Sequence, residues 1–342
     1  MRRSDLRSGP NVPDAPTITA VIALYNGAAY IQRALESILE QSQMPSEIIV
    51  VDDGSTDNGC EIVREVAEGR FPVRIIVKEN GGQGSARNLG VKSSTGGLIA
   101  FLDQDDAWYP NHLEELLKPF LDNNPRLGWA YSDLDQVDAD WHMVCHEFLQ
   151  TMPTQHPKRD IVACLRQDMF ILPSASLISR EAFEAVGGFD ERLSGYEDDD
   201  LFIRIFRQGY ANVFINKALS AWRIHAGSTS YSPRMARSRA IYMQKLIELF
   251  PDDVDMNRYY RRDCIAPRFS TVFVSEYLRG LRRSNRKLIE ASTSDLRRIV
   301  PYMRTTRRMA FRAALPLLSI YPVAKIAYQL RLHVAAMKMM GR

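Results

Sequence analysis

GGLIAFLDQDDAWYP, residues 96–110, runs from two glycines through an apolar stretch into a cluster of acids. The apolar part reads as a buried strand. Asp103, Asp105 and Asp106 crowd its end, with nothing basic inside the stretch. Carboxylates so close repel one another, so either water solvates them on a loop or a cation sits among them. In an extended chain, side chains two apart point the same way. Asp103 and Asp105 then face one side and Asp106 the other. Two carboxylates on one side suit a hard divalent cation, Mg²⁺ or Mn²⁺. A lone D-x-D is more often a solvated loop, so the surrounding chain has to decide.

Upstream, strand and helix signals alternate. TITAVIAL (17–24), SEIIVVDD (46–53) and VRIIVKE (73–79) are strand-like, as is GGLIAFLD (96–103). Between them, residues 30–41 place Ile31, Leu35, Ile38 and Leu39 on one helical face, and 58–68 and 84–94 also have helical character. Continuous apolar strands separated by helices predict an α/β fold with a mostly parallel sheet covered on both faces. Ligands of such open sheets bind beyond the carboxyl ends of the strands. The polar groups at those ends are Tyr25 and Asn26, Asp52 and Asp53, Asn80 to Gln83, and Asp103 to Asp106. Their convergence on one edge turns the balance at the aspartates from solvated loop to cation site.

Downstream, the expected elements are a helix over 110–123, a strand and turn over 128–138, and a helix near 160–168. A short strand near 174–179 follows, then a helix over 180–193 stopped by Gly187 and Gly188. GYEDDDLFIRIFRQGY (195–210) is an amphipathic helix with an acidic start. Acids in a first turn complement the helix dipole, but four in a row exceed what a cap requires. One of them near a bound acceptor can take a proton from a hydroxyl, and like-charge crowding raises its proton affinity toward that role. In VVDDGSTDNG (50–59), an acid at a strand end can accept from a sugar hydroxyl or a base N–H, while Ser55 or Thr56 caps the next helix. NGGQGSARNLG (80–90) offers backbone N–H groups for an anion, with Arg87 supplying charge. It is neither a Walker loop nor a dinucleotide fingerprint. His225 lies in AWRIHAGSTS (221–230) with Arg223, Ser228 and Ser230. A lone histidine is more often structural; a metal or phosphate role is the alternative. His142, Cys145 and His146 lack the ligand spacing of a zinc site.

The chain has 342 residues, 45% hydrophobic and 25% charged, as expected of a globular protein with one large domain and an appendage. A net charge of +3 does not argue for nucleic acid. The four cysteines form no C-x-x-C pair, so a disulfide framework is not expected and a reducing compartment fits. Residues 1–16 read as a flexible leader, since no apolar segment follows the basic residues. AALPLLSIYPVA (313–324) is too short to span a bilayer. From Pro301 to Arg342 there is no acid, while Arg304, Arg307, Arg308, Arg312, Lys325, Arg331, Lys338 and Arg342 alternate with apolar residues. That composition suits helices lying on an anionic membrane surface, or a packed helical subdomain with a basic exterior. The expected division is a leader over 1–16, a catalytic domain over 17–232 and a basic helical region over 233–342.

In order, TAVIALYNGAAYIQRALESILEQ, EIIVVDDGSTDNG, NGGQGSARNLG, FLDQDDAWYP, GGFDERLSGYEDDDLFIRI and WRIHAGSTS resemble the family 2 glycosyltransferases. The resemblance covers residues 17–232 and implies a GT-A fold, a Rossmann-like, mostly parallel sheet flanked by helices. It also implies a nucleotide-sugar donor, most often a UDP-sugar, a divalent metal (Mn²⁺ or Mg²⁺) and inversion at the anomeric carbon. Carried over residue by residue, Ala23, Tyr25 and Asp53 line the nucleoside pocket, with Tyr25 stacked on the base and Asp53 facing it. Arg87 lies near the diphosphate, Asp103 touches the ribose or the metal shell, and Asp105 ligates the metal. Asp198 is the general base, and His225 approaches the metal or diphosphate. Ala23 departs from the hydroxyl residue common in relatives, so contacts there are through backbone. The Q-x-x-R-W signature of processive synthases is absent, which implies single additions. The expected setting is cytoplasmic and, where the basic tail docks on lipid, peripheral on the cytoplasmic membrane face, with a saccharide or lipid-linked acceptor in cell-surface polysaccharide or glycolipid assembly. The competing readings are a sugar nucleotidyltransferase, for which LYNGAAY lacks the required signature, and a noncatalytic membrane-docking scaffold of the same fold.

Overall fold

The computed structural model describes residues 16–122, 124–225 and 233–329. By contacts the chain divides into two units. The first holds Met1–Pro153 and Phe170–Ser228, and the second Thr154–Met169 and Thr229–Arg342. The leader and the stretch from Leu330 to Arg342, with Arg331, Lys338 and Arg342, lie almost wholly outside the described residues.

The first unit opens with the alternation read from the sequence. Strand β1 (Ile18–Leu24) leads to helix α1 (Ile31–Leu39), β2 (Glu47–Asp52), α2 (Gly59–Ala67), β3 (Val73–Val77), α3 (Gln83–Lys92) and β4 (Leu98–Asp103). β1 pairs in parallel with both β2 and β4, and β2 with β3. The apolar runs are continuous because helices cover both faces: Ile22, Val50 and Leu102 are buried on one, and Ile49 and Val51 pack with Ala86 of α3 on the other. Helix α3 lies close on the sheet at Gly90, where an added Cβ would stand 2.4 Å from a Val21 methyl.

The rest of the unit is β5 (Ala107–Trp108), α4 (His112–Leu117), β6 (Leu127–Val137), β7 (Met143–Cys145), β8 (Ser176–Ser179), α6 (Arg180–Ala185), α7 (Glu197–Arg207) and β9 (Ala211–Arg223), with α5 (Ile161–Arg166) belonging to the second unit. Among the described residues there is one nine-stranded sheet, in the order β3-β2-β1-β4-β8-β6-β9-β5, with β7 on β6. β8 is antiparallel to β4 and β6, while β6 and β9 run parallel. Two expected helices are shorter than their periodic patterns. The one expected over 110–123 is α4 followed by a 3₁₀ segment, Lys118–Asp122. The one expected over 180–193 ends at Ala185, just before the left-handed Gly187 and Gly188.

The second unit adds α8 (Pro233–Leu249), α9 (Ala266–Arg282), α10 (Arg286–Ile299), α11 (Thr305–Leu318) and α12 (Tyr321–Gln329). Its buried side chains include Tyr242, Phe269, Phe273, Ile289 and Leu296. Arg239 pairs with Glu276 at 2.6 Å, and Arg268 pairs with Asp168. The last two helices leave Met309, Leu317, Val323 and Ile326 exposed, and the break between them leaves Ile320 exposed. Among the described residues no single helix is long and apolar enough to cross a membrane. α11 and α12 reach that only together, bent by 109°. No disulfide joins the cysteines.

Candidate active site

Parallel strands deliver their carboxyl ends to the same edge, and side-chain hydrogen bonds tie these ends together. At the end of β1, Asn26 N–H donates to Ser55 Oγ at 3.0 Å, and Thr56 N–H donates to Asn26 Oδ1 at 2.8 Å. Gln104, between the aspartates, accepts from Tyr25 N–H at 2.8 Å and donates to Tyr25 O at 3.2 Å. It thereby locks the β4 end to the β1 end. Ala23 sits between Val51 and Asp103 in the sheet register, and Tyr25 beyond it is exposed.

Asp52 and Asp53 part as alternation requires. Asp52 accepts from Ser55 N–H at 2.9 Å on the α2 side. The buried Asp53 accepts from Lys78 Nζ at 2.6 Å, Gly81 N–H at 2.9 Å and Gly82 N–H at 2.7 Å. The glycine N–H groups read as an anion site thus receive an anion from the chain itself. Gly82 (φ +89°) makes the left-handed turn that aims them before α3 begins. The expected hydroxyl cap on α2 is not made: its N-cap is Asn58, and Asp57 accepts from Gly59 N–H at 3.1 Å instead.

At the tip of β4, Arg87 is only 3% exposed and donates to Asp103, whose side chain is 35% exposed. Arg87 Nη1 also lies 3.7 Å from Glu197 Oε1 on α7, and Gln83 donates to the same carboxylate. One guanidinium therefore joins the acidic strand end to the acidic helix start. Asp105 Oδ2 meets His225 Nε2 at 2.8 Å. Burial pushes the Asp105 carboxyl up, the Asp103 charge adds to this, and the His225 hydrogen bond opposes it. The chain is not extended past Asp103, as the alternation assumed: it turns at Gln104 and Asp105, with Asp106 N–H donating to Asp103 O at 3.1 Å, and the buried Asp106 accepts from Arg223 N–H at 3.0 Å. Burial, then Asp105 and Asp103, raise it well above the usual carboxylate range.

The four acids of α7 have separate places. Asp200 pairs with Arg204, which also donates to the carbonyls of Val186 at 2.5 Å and Gly188 at 2.7 Å, fixing the turn before the helix. Glu197 accepts from Gly195 N–H at 2.5 Å. Asp198 lies two residues past Tyr196, whose φ is +64°, and accepts from Asp199 N–H at 2.8 Å. Its carboxyl is pushed well above the ordinary range by burial first, with Glu197 and Asp199 adding and Arg87 opposing. The sequence pointed to charge crowding; desolvation is the larger cause.

Asp105 and His225 stand together at one strand end, a carboxylate and an imidazole of the kind that bind divalent cations, while Asp103 is held by Arg87; among the described residues these three do not lie within coordinating reach of one another. Asp138, Asp140 and His142 do cluster, but on an exposed hairpin where Asp138 Oδ1 already accepts from Asp140 N–H at 2.9 Å and His142 N–H at 3.0 Å. His146 turns to Asp135 at 2.8 Å, so these histidines share no site with Cys145. Ser228 and Ser230 lie outside the described residues. Sequence reasoning missed Lys78, Gln104 and Tyr30, and named Arg223 only as a neighbour of His225. Only Lys78, standing directly past a strand end, carried a readable signal.

The comparisons agree with this geometry. Residues 19–187 match the model of glycosyl transferase family 2, and residues 172–226 match that of the N-terminal domain of galactosyltransferase. An uncharacterised glycosyltransferase of Nostoc is 31% identical over 238 residues, 65% of this chain and 69% of that protein. One from Rickettsia bellii is 31% identical over 239 residues, 68% of this chain but only 34% of its own length. The chain thus spans about a third of that relative. The structure of S. aureus TarS 1–349 in complex with UDP-GlcNAc shares the fold at a TM-score of 0.63 and 16% identity, covering 92% of each chain.

Proposed function

The chain belongs to the family 2 glycosyltransferases and has a GT-A fold, and on that premise we propose that it is an inverting, metal-dependent enzyme moving one sugar from a UDP-sugar to a hydroxyl acceptor. The observation that carries this reading is the junction at Arg87, which joins Asp103 beside the Asp105–His225 pair to the helix start that bears Asp198. Family membership sets aside the sugar-nucleotidyltransferase alternative.

Tyr25 and the backbone at Ala23 form the rim on which the nucleoside lies. Asp53 orders the turn from Lys78 to Gly82 and faces the base as an acceptor. Arg87 holds Asp103 in place and offsets the charge of Glu197. A divalent cation, Mn²⁺ or Mg²⁺, held by Asp105 and His225 would neutralise the charge that develops on the departing diphosphate. Asp198 takes the acceptor hydroxyl's proton onto its carboxylate, and its raised proton affinity suits that task. The acceptor oxygen bonds to the anomeric carbon from the face opposite the nucleotide. The bond from that carbon to the diphosphate oxygen breaks, its electron pair leaves with the diphosphate, and configuration inverts in one displacement.

The composition of the second unit supports a reading in which the enzyme works at a membrane. α11 and α12 expose apolar side chains beside Arg308, Arg312 and Lys325, and residues 301–342 contain no acid. Exposed aliphatics mixed with bases suit an anionic lipid surface, on its cytoplasmic side, better than nucleic acid. A lipid-linked acceptor in cell-surface polysaccharide or glycolipid assembly fits such a position. The functional reading is tested by thermal shift of the full chain with UDP-, GDP- and dTDP-sugars, with and without Mn²⁺, followed by assay of UDP release. Metal-dependent stabilisation by a UDP-sugar with UDP release supports it. Stabilisation without turnover favours the noncatalytic scaffold, and no stabilisation by any nucleotide sugar contradicts it.

A further inference from the structure

Beyond the C-terminal end of β9, four side chains stack in a line that ends on the candidate metal ligands. The Arg33 guanidinium lies 3.7 Å from the centroid of the Trp141 ring, and Arg223 lies 5.4 Å from the same ring. Arg223 is also 4.7 Å from the Tyr30 ring, and Tyr30 stands 5.1 Å from the His225 ring at an interplanar angle of 36°. His225 then meets Asp105. Arg223 is fixed twice more, its backbone N–H donating to Asp106 at 3.0 Å and its Nε to Ala139 O at 3.1 Å.

Two features set this apart from an incidental surface cluster. Two guanidiniums over one indole repel each other, so the pair persists only where stacking and a carbonyl acceptor offset that repulsion. Trp141 also holds φ at +65°, a left-handed conformation that costs a bulky residue energy and needs support from its surroundings. The support is visible in the hairpin between β6 and β7, where Asp138 accepts from two N–H groups of the turn. A strained loop residue clamped between two cations, one of which also stacks on the tyrosine beside His225, is a built arrangement.

We propose that Arg33, Trp141, Arg223 and Tyr30 are positioning residues for His225: the 138–142 hairpin clamps the stack, the stack fixes the imidazole against Asp105, and the affinity of that pair for a divalent cation depends on the clamp. None of the four touches the reacting atoms. The inference rests on the reading of Asp105 and His225 as metal ligands and adds what holds them. Groups that orient a ligand histidine typically change metal affinity by about 10–100-fold when removed.

The test is titration of the full chain with Mn²⁺ alone, read by calorimetry, beside ¹H–¹⁵N spectra of the metal-free imidazoles assigned with His225→Gln. Trp141→Leu is expected to weaken Mn²⁺ binding about tenfold and to shift and broaden the His225 signals. Trp141→Phe, which keeps an aromatic face, should recover most of the affinity. Arg33→Gln alters an exposed side chain at the outer end of the stack and leaves the fold intact. It should weaken binding about two- to fivefold, the size of one exposed cation–π contact, and it decides the matter if Trp141→Leu does not fold. Wild-type Mn²⁺ affinity in the folded variants overturns the proposal. If the wild-type chain itself binds neither Mn²⁺ nor Mg²⁺, the metal reading fails. The imidazole spectra then decide the stack alone: unchanged His225 signals overturn it, and altered ones uphold the positioning.

Discussion

Arg87 donates to Asp103 from a position almost fully out of solvent, with Glu197 on its other side. Removing one partner of a buried ion pair leaves the other charge uncompensated and costs about 3–5 kcal/mol. Arg87→Gln should therefore lower the melting temperature by roughly 6 °C or more, at roughly 2–4 °C per kcal/mol. Arg87→Lys keeps the charge but loses the fork geometry and should fall between. Scanning calorimetry checks this, and a wild-type melting temperature for Arg87→Gln contradicts it.

Asp53 gathers one ammonium and two backbone N–H groups. Hydrogen bonds to a charged group contribute about 1.5–3 kcal/mol each, less where solvent reaches them, and here the glycines are partly exposed. Asp53→Ala should loosen the start of α3, lowering denaturant stability by about 2 kcal/mol and abolishing UDP binding. Urea titration with a UDP titration checks both; unchanged UDP affinity contradicts the assigned role.

Asp198 holds its proton to higher pH in the folded chain than in the unfolded one, chiefly through burial. The stability from this group is therefore fully present below the unfolded value of about 4 and is lost as pH rises through the folded value. Asp198→Asn stays neutral throughout. Its melting temperature should exceed that of wild type by a margin that widens from about pH 4 toward neutrality. A constant or shrinking margin contradicts the sign. The same variant should lose transfer by about 10²–10⁴-fold, the usual contribution of a general base.

Exposed Ile320, in the break between α11 and α12, and Ile326 on α12 lie along the same stretch as Arg312 and Lys325. Full-length chain should co-sediment with phosphatidylglycerol vesicles and not with phosphatidylcholine. Ile320→Glu with Ile326→Glu should abolish this. Arg312→Gln with Lys325→Gln should reduce partitioning roughly thirtyfold, at about 1 kcal/mol per basic residue. Soluble fractions equal to wild type in both variants contradict membrane docking.

The sheet and its ligand edge were legible because buried parallel strands carry unbroken apolar runs, as in β1, β2 and β4. Strand β9 was not legible along most of its length. Its residues mix exposed and buried positions, and its register with β6 shifts at bulges, so neither alternation nor a continuous apolar run survives. Strand alternation separated Asp52 from Asp53, but Asp106 owes its place to a turn at Gln104 and Asp105 that the extended reading did not foresee. What the sequence hid are long-range partners. Gln104 with Tyr25, and Arg223 with Tyr30 and Trp141, meet only once the fold has formed. Residues 154–169 gave no sign that they belong with the C-terminal helices.

The most direct measurement is anomalous scattering from a crystal of the full chain grown with UDP and Mn²⁺. The expected result is a manganese peak bound by Asp105 and His225, with the diphosphate beside it and the uracil near Tyr25 and Asp53. A diphosphate seated away from the β4 tip, or held there with no manganese, would contradict the central claim.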